Sequence, residues 1–241
     1  MLAFKRLVLA FAAAFAPSLI GCAAAGIGSD LTELPAPLLL RDASPAQMQL
    51  PAQTPFSIRF SKSSEQAGLL GTADASASAT REGACAAKAE VLNGGKASGT
   101  TQLGHLFKND TNRQIDLTVR AKFRFEYSAT ITPDSRLPGA TVYVMLYARD
   151  QRNRLLREFT LTNHTTEQGA AERKSDEDVT FTLTLAPQDS ISVFTAGQVD
   201  VDVPQGRNAV ATLSITGLQL DVSTKPSPAS QPAPAKTDGA R

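Results

Sequence analysis

The longest regular pattern in the chain runs from Ile115 to Ala129. Ile115, Leu117, Val119, Ala121, Phe123, Phe125, Tyr127 and Ala129 fill every second position, and Asp116, Thr118, Arg120, Lys122, Arg124, Glu126 and Ser128 fill the rest. Strand side chains point alternately to opposite faces, so this run predicts a strand with one apolar and one wet face. It is far longer than the usual ~5–6 residues, which predicts a bend or bulge within it. Thr141–Arg149 predicts a second strand, apolar on both faces: Val142, Val144 and Leu146 on one, Tyr143, Met145 and Tyr147 on the other. Such a strand is expected in the middle of a sheet, covered on two sides, with core packing as the first reading of its tyrosines. Asp150-Gln151-Arg152-Asn153 then reads as a turn, and Leu155–Thr162 as the returning hairpin partner.

Further on, Val179, Phe181, Leu183 and Leu185 alternate with threonines. Ile191, Val193, Val199, Val201 and Val203 share one parity, with Gly197 marking a bend or a close backbone approach. Ala209, Ala211, Leu213 and Ile215 give way to Leu218, Leu220 and Val222, a slip of parity at Gly217 that a β-bulge would produce. Pro187–Ser190 and Pro204–Asn208 carry turn chemistry. Phe56, Ile58 and Phe60 predict the first strand. Short strands, turns between them and no long helical period predict an all-β fold, an antiparallel β-sandwich, with a jelly roll as its specific form.

Other stretches are less regular. In Ser61–Thr101, Ala73, Ala75, Ala77 and Ala79 alternate with Asp74, Ser76, Ser78 and Thr80. A strand of small side chains packed closely on a neighbour fits, and so does a low-complexity linker; the alternation favours order. Asn163–Asp178 is polar and charged and predicts an exposed loop. Pro35, Pro37, Pro45, Pro51 and Pro55 punctuate the stretch before the first strand, which predicts a tether, with Leu38-Leu39-Leu40 able to dock on the domain. Ser223–Arg241 is Pro, Ala, Ser and Lys with little to bury, so disorder is expected there.

The N-terminal pattern is of another kind. Lys5 and Arg6 precede an uncharged apolar run from Leu7 to Ile20, too short to span a bilayer as a helix, which needs about 20 apolar residues. This is the layout of a secretory signal. Leu19, Ile20, Gly21 and Cys22 close it, and this order of residues resembles the lipobox of bacterial lipoproteins. The resemblance covers about the first tenth of the chain and implies cleavage before Cys22, a diacylglycerol thioether on its sulfur and acylation of its new amine. Two or more acyl chains hold a protein stably on a membrane where one is marginal. Ala23 stands where the family's inner-membrane retention signal has Asp, so the resemblance implies the outer membrane of a bacterial cell envelope. The division expected is a signal over 1–21, a tether over 22–55, a β-sandwich over 56–222 and a tail over 223–241.

Composition then narrows the function. With 24 basic and 23 acidic side chains the net charge is +1, which gives no steering field for nucleic acid. The chain is 42% hydrophobic, enough for a core. Its cysteines are Cys22 and Cys85; if Cys22 is lipidated, Cys85 has no disulfide partner and reads as a small buried hydrophobe.

Candidate chemistry is sparse. Two histidines occur, His105 among apolar residues and His164 in the expected loop, and neither accompanies a Gly-x-Ser-x-Gly elbow. Zinc-ligand spacings are missing. Asp176-Glu177-Asp178 could serve calcium but reads as a solvated run. Arg120, Lys122 and Arg124 could take an acidic ligand, yet cross-strand charge pairs are the plainer expectation. Asn109-Asp110-Thr111 and Asn163-His164-Thr165 match the glycosylation pattern and read as chance in a bacterial protein. Tyr143 and Tyr147 share one strand face within reach of one glycan. The expectation is a membrane-anchored envelope lipoprotein with a structural or protein-binding role, not an enzyme and without cofactor or metal. A cell-surface carbohydrate-binding module using Tyr143 and Tyr147 is the alternative, and a hydrolase ranks third.

Overall fold

The computed structural model describes residues 36–41, 47–132, 139–166 and 170–227. The signal segment with Leu19, Ile20, Gly21 and Cys22, the tether before residue 36 and the tail beyond residue 227 lie outside them. The chain forms strands β1 (Leu38–Leu40), β2 (Gln47–Leu50), β3 (Ile58–Ala67), β4 (Thr72–Ala79), β5 (Cys85–Leu92) and β6 (Gly95–Asn109). They are followed by β7 (Ile115–Thr132), β8 (Ala140–Asp150), β9 (Leu155–Thr166), β10 (Ala170–Leu185), β11 (Ser190–Val203) and β12 (Asn208–Pro226).

Two sheets form a sandwich. Sheet A runs β6-β11-β8-β9, with β1 and β3 both on the free side of β6; sheet B runs β10-β7-β12-β5-β4, with β2 also on β12. All pairings are antiparallel except β1 with β6. The eight strands β5 to β12 thus lie in the orders β5-β12-β7-β10 and β6-β11-β8-β9, which is the jelly-roll arrangement. The β3–β4 pair extends both sheets along one side.

Apart from the run with Ile58 and Phe60, each predicted one-sided periodic run is a strand whose apolar parity points between the sheets. Leu117, Val119, Ala121, Phe125 and Ile131 of β7 meet Val142, Val144 and Leu146 of β8 and Val193 and Val199 of β11 in one core, all fully buried. The long strand β7 is unbroken. The irregularity falls on its partner: β12 carries one extra residue between Thr216 and Gln219, where Gly217 and Leu218 stand against Phe123 alone, with Gly217 at φ 64°. The parity slip in the sequence is therefore a bulge in β12.

The alanine-rich region is ordered. β4 and β5 pair in register, and their small side chains let sheet A come close. A Cβ added at Gly99 of β6 would lie 2.8 Å from the Ser76 carbonyl oxygen and 3.2 Å from the Ala87 Cβ. Gly197 does the same beneath Leu213, where an added Cβ would be 2.6 Å from a leucine methyl. Cys85 sits in this layer, buried, with its sulfur accepting a 3.4 Å hydrogen bond from Thr101. Burial pushes its thiol up to about 11. Thiol reagents should leave Cys85 unlabelled in the folded chain at pH 8 and label it once urea unfolds the protein, as read by peptide mass mapping. Rapid native labelling would contradict this packing.

Four expectations change. The stretch expected as a tether contributes β1 and β2, whose Leu40 and Leu50 are buried. Asn163–Asp178 is not a loop: β9 continues to Thr166 and β10 begins at Ala170. The pattern showed only the second half of β10, from Val179, because this is an edge strand whose first half is wet on both faces. At the C-terminal end, β12 continues through Pro226 opposite Ile115, so Ser223–Pro226 is paired strand rather than tail. The strand expected to come first, with Phe56, Ile58 and Phe60, is the third and starts at Ile58; Ile58 and Phe60 stand opposite Gly104 and Gln102, which puts them on the outer face of sheet A, away from the core.

Candidate binding face

The outer faces of the two sheets differ in chemistry. On sheet B the outward side chains are charged or hydroxylated and satisfy one another across strands. Arg120 donates from Nε to Asp178 at 2.7 Å, Lys122 to Asp221 at 3.0 Å, and Lys174 pairs with Glu126 at 2.7 Å. Thr118–Thr182 and Ser128–Thr212 add hydroxyl pairs at 2.9 and 2.8 Å. Arg120 and Lys122 are thus in the cross-strand pairs expected of a solvated face. Asp176 and Asp178 point outward while Glu177 points to the other side of β10, so the three carboxylates do not converge on a cation. Among the described residues, no group of three or more His, Cys, Asp or Glu could hold a metal ion. A shallow depression of about 400 Å³ lies on this face where Ser76, Ser78 and Ala86 leave room beside Lys88, whose ammonium is already held by Glu90 at 2.5 Å.

Sheet A presents aromatic, thioether and amide groups instead. Among the described residues, every strand belongs to one of the two sheets, so no third layer covers β8. Tyr143, Met145 and Tyr147 point outward, where double-sided coverage was expected. The β8–β11 register sets Phe194 opposite Tyr147, Ala196 opposite Met145, Gln198 opposite Tyr143 and Asp200 opposite Thr141. The β6–β11 register adds Gly104, Gln102 and Thr100 beside Phe194, Ala196 and Gln198. Beyond them, β3 supplies Ile58 and Phe60. Gln102 and Ala196 lie side by side between Phe60 on one side and Met145 on the other.

The two tyrosines differ in availability. Tyr147 is only 7% exposed. Its ring lies 5.5 Å from that of Phe194, the Arg149 guanidinium carbon sits 4.9 Å above it, and its hydroxyl donates to the Met145 sulfur at 2.5 Å. Gly104 is what lets Phe194 lie this low, since an added Cβ would meet the Phe194 Cβ at 2.6 Å. Tyr143 is half-buried and keeps part of its ring at the surface. Gln198 donates to the Asp200 carboxylate at 2.6 Å. Burial raises the Asp200 carboxyl above the usual range against that hydrogen bond, and burial together with the Asp200 charge raises the Tyr143 phenol. Arg149 has a buried Nε–H with no acceptor among the described residues, although its Nη1 donates to Asn153 at 3.2 Å. The face thus offers an apolar strip rimmed by an amide, a carboxylate and a guanidinium.

The histidines do not meet. His105 points into the core on β6 and His164, on β9 rather than in a loop, stacks on Tyr127 with centroids 5.6 Å apart. Two strands, β11 and β8, separate β6 from β9. Phe194, Gln198, Asp200 and Phe60 were missed as site residues. The signal available was the outward aromatic at Phe194, which breaks the polar parity of β11.

No protein-family model matches the chain, and no curated protein matches it. Among solved structures, an arabinose-bound GH51 α-L-arabinofuranosidase is 13% identical at a TM-score of 0.20; the match covers 66% of this chain and 23% of the enzyme. A CBM4 module is 14% identical at a TM-score of 0.23, over 63% of this chain and 94% of the module. The family 11 carbohydrate-binding module of Clostridium thermocellum, in complex with a β-1,3-1,4-mixed-linked tetrasaccharide, is 8% identical at a TM-score of 0.23, over 74% and 96%. This chain spans under a quarter of the length of the enzyme. Likeness at this level assigns no family and no ligand; the chain is an all-β sandwich of jelly-roll order whose chemistry must be read from its own side chains.

Proposed function

We propose that this protein is a lipid-anchored lipoprotein of the bacterial cell envelope, held at the outer membrane, whose sandwich binds a partner through the outer face of sheet A and performs no catalysis.

 The observation that carries the reading is the contrast between the two outer faces. Sheet B closes its polar groups on one another. Sheet A turns Ile58, Phe60, Met145, Tyr143, Tyr147 and Phe194 to the same side. Tyr147 and Phe194 are each 7% exposed and form the floor, and the half-buried Ile58, Phe60, Tyr143 and Met145 supply the accessible apolar surface. Apolar side chains gathered on an outer face and rimmed by polar groups mark an interaction site. Cys22 is the proposed lipidation site, after Leu19-Ile20-Gly21. The separation of His105 from His164 supports binding over hydrolysis, because a nucleophile, base and orienting group must converge.

A glycan is the second reading, favoured by Tyr143 beside Gln198 and Asp200. A half-exposed ring next to an amide and a carboxylate suits a sugar, which offers an apolar ring face and equatorial hydroxyls. A glycan array probed with the full chain tests it. Binding that weakens tenfold or more on Tyr143→Ala, with an unchanged melting temperature, supports the glycan. Binding that survives this substitution removes Tyr143 from the site. Loss of an envelope-protein crosslink on Phe60→Ser, without any glycan signal, assigns the face to a protein partner.

A further inference from the structure

Among the described residues, three of the four large apolar side chains that stand most exposed gather at one end of the sandwich. Leu69 is 91% exposed, Leu70 70% and Leu92 44%. The first two form the tip between β3 and β4, in Gly68-Leu69-Leu70-Gly71, and Leu92 ends β5 opposite Thr72. The fourth, Leu155, begins β9 at the opposite end.

The tip is held firmly. Gly68 donates its N–H to the Gly94 carbonyl at 2.9 Å, and Gly71 donates to Gly68 at 3.3 Å. Asn93 ties three turns together. Its amide nitrogen donates to the Leu70 carbonyl at 3.0 Å, its side-chain oxygen accepts from Gly206 N–H at 2.9 Å, and its backbone N–H donates to the Asn208 side chain at 2.8 Å. A Cβ at Gly71 would lie 2.4 Å from the Gly94 carbonyl oxygen, so the backbones touch where side chains would otherwise stand. The leucines are therefore presented by a fixed support.

We propose that this tip rests in the surface of a lipid bilayer. The three segments that form it, Gln66–Thr72, Leu92–Gly95 and Pro204–Asn208, contain no Asp or Glu and one cation, Arg207. The nearest acidic side chain on β11, Asp202, is paired with Lys96 at 2.6 Å. Of the carboxylates that flank these segments, Asp74 and Glu90 are held by Lys88, at 3.4 and 2.5 Å. Leucines beside a cation, on turns that carry no carboxylate of their own, suit an anionic lipid interface. A turn with three leucines is too small for a stable protein interface, which needs about 800 Å² from each partner. A bilayer takes each side chain singly and requires no shaped pocket. The proposal deepens the anchoring reading and rests on it for the nearness of a membrane.

The chain has no Trp, so single-Trp variants report on chosen positions. The full chain carrying Leu69→Trp, or Leu155→Trp as the control, is mixed with phosphatidylethanolamine–phosphatidylglycerol vesicles whose acyl chains carry bromine. Leu69→Trp should shift to shorter wavelength and lose at least half its emission, while Leu155→Trp stays unchanged. Sedimentation with the vesicles but no quenching at position 69 overturns the tip and leaves the anchor standing. Failure to sediment with the vesicles overturns both. A blue shift at position 69 that grows with protein concentration without vesicles assigns the leucines to a second copy and also overturns the proposal. Leu70→Trp repeats the reading if Leu69→Trp alters the melting temperature.

Discussion

Chains carrying Asn109→Leu should lose about 3–5 kcal/mol of stability in urea unfolding, the sum of a few buried polar groups left without partners at ~1–3 kcal/mol each. Asn109 ends β6 with no solvent exposure. Its amide nitrogen donates to the carbonyls of Arg113, Leu185 and Ala186 at 2.9, 3.1 and 2.9 Å. Its side-chain oxygen accepts from the N–H and the hydroxyl of Thr111 at 3.0 and 2.7 Å. One side chain thus joins the β6–β7 turn to the β10–β11 turn, and so sheet A to sheet B. Leucine fills a similar volume and can make none of these bonds. Asn163→Leu is the matched control. It alters the other Asn-x-Thr site, where the side chain is exposed on β9, and should change stability by less than about 0.5 kcal/mol. A loss below about 1 kcal/mol for Asn109→Leu would show that the two turns do not depend on this residue. The same burial closes Asn109 to glycosylation.

Acid should destabilise the fold through His105 before most carboxylates titrate. The ring is 2% exposed, lies 5.4 Å from Phe107, and its Nδ1 accepts a 3.1 Å hydrogen bond from the Ser57 N–H. Protonating Nδ1 would set one N–H against another in an apolar site. Burial accordingly lowers the folded imidazole from 6.5 to about 4. Below pH 6.5 the unfolded chain binds a proton that the folded chain refuses. Stability is therefore complete above pH 6.5, falls as the pH drops toward 4, and levels off below it. The full loss amounts to about 3 kcal/mol, at 1.36 kcal/mol for each pH unit of difference. Asp200, raised by burial, works in the opposite sense, since its folded form takes up a proton more readily as acid is added. Denaturation of wild type and His105→Gln at pH 7 and pH 4.5 separates the two. Glutamine can still accept from Ser57 and does not titrate, so its curve should lose most of the slope. Equal slopes in both chains would place the acid sensitivity elsewhere.

Some of the architecture was legible because burial on one side of a strand writes a period of two. β7 and β12 were readable in this way, and so were the bulge at Gly217 and the close approach at Gly197; β8 was readable instead as a run apolar on both faces. Edge strands escaped because water on both sides removes the constraint. Arg173, Ser175 and Glu177 share a parity with Val179 and Phe181 on β10, yet they stand where the sandwich opens. Short strands such as β1 and β2 hold too few residues to show a period, and they are strands because β6 and β12 offer them free edges.

The binding face shows the same division. Tyr143, Met145 and Tyr147 were visibly apolar, but the direction they face depends on which layer covers the other side. Phe194, Gln198 and Asp200 reach them from about 50 residues away through the β8–β11 register. The exposed tip at Leu69 and Leu70 was marked only by its flanking glycines.

By itself, the amino-acid order determined the strands with one dry face and the resemblance of Leu19-Ile20-Gly21-Cys22 to a lipid-attachment signal, while it left the alanine-rich region open between strand and linker. Only the tertiary structure decided the jelly-roll order, the outward turn of the aromatic strip and the clustering of leucines at one end. Alternation is a local consequence of burial, whereas register and layer order come from contacts between distant segments, which no local pattern records.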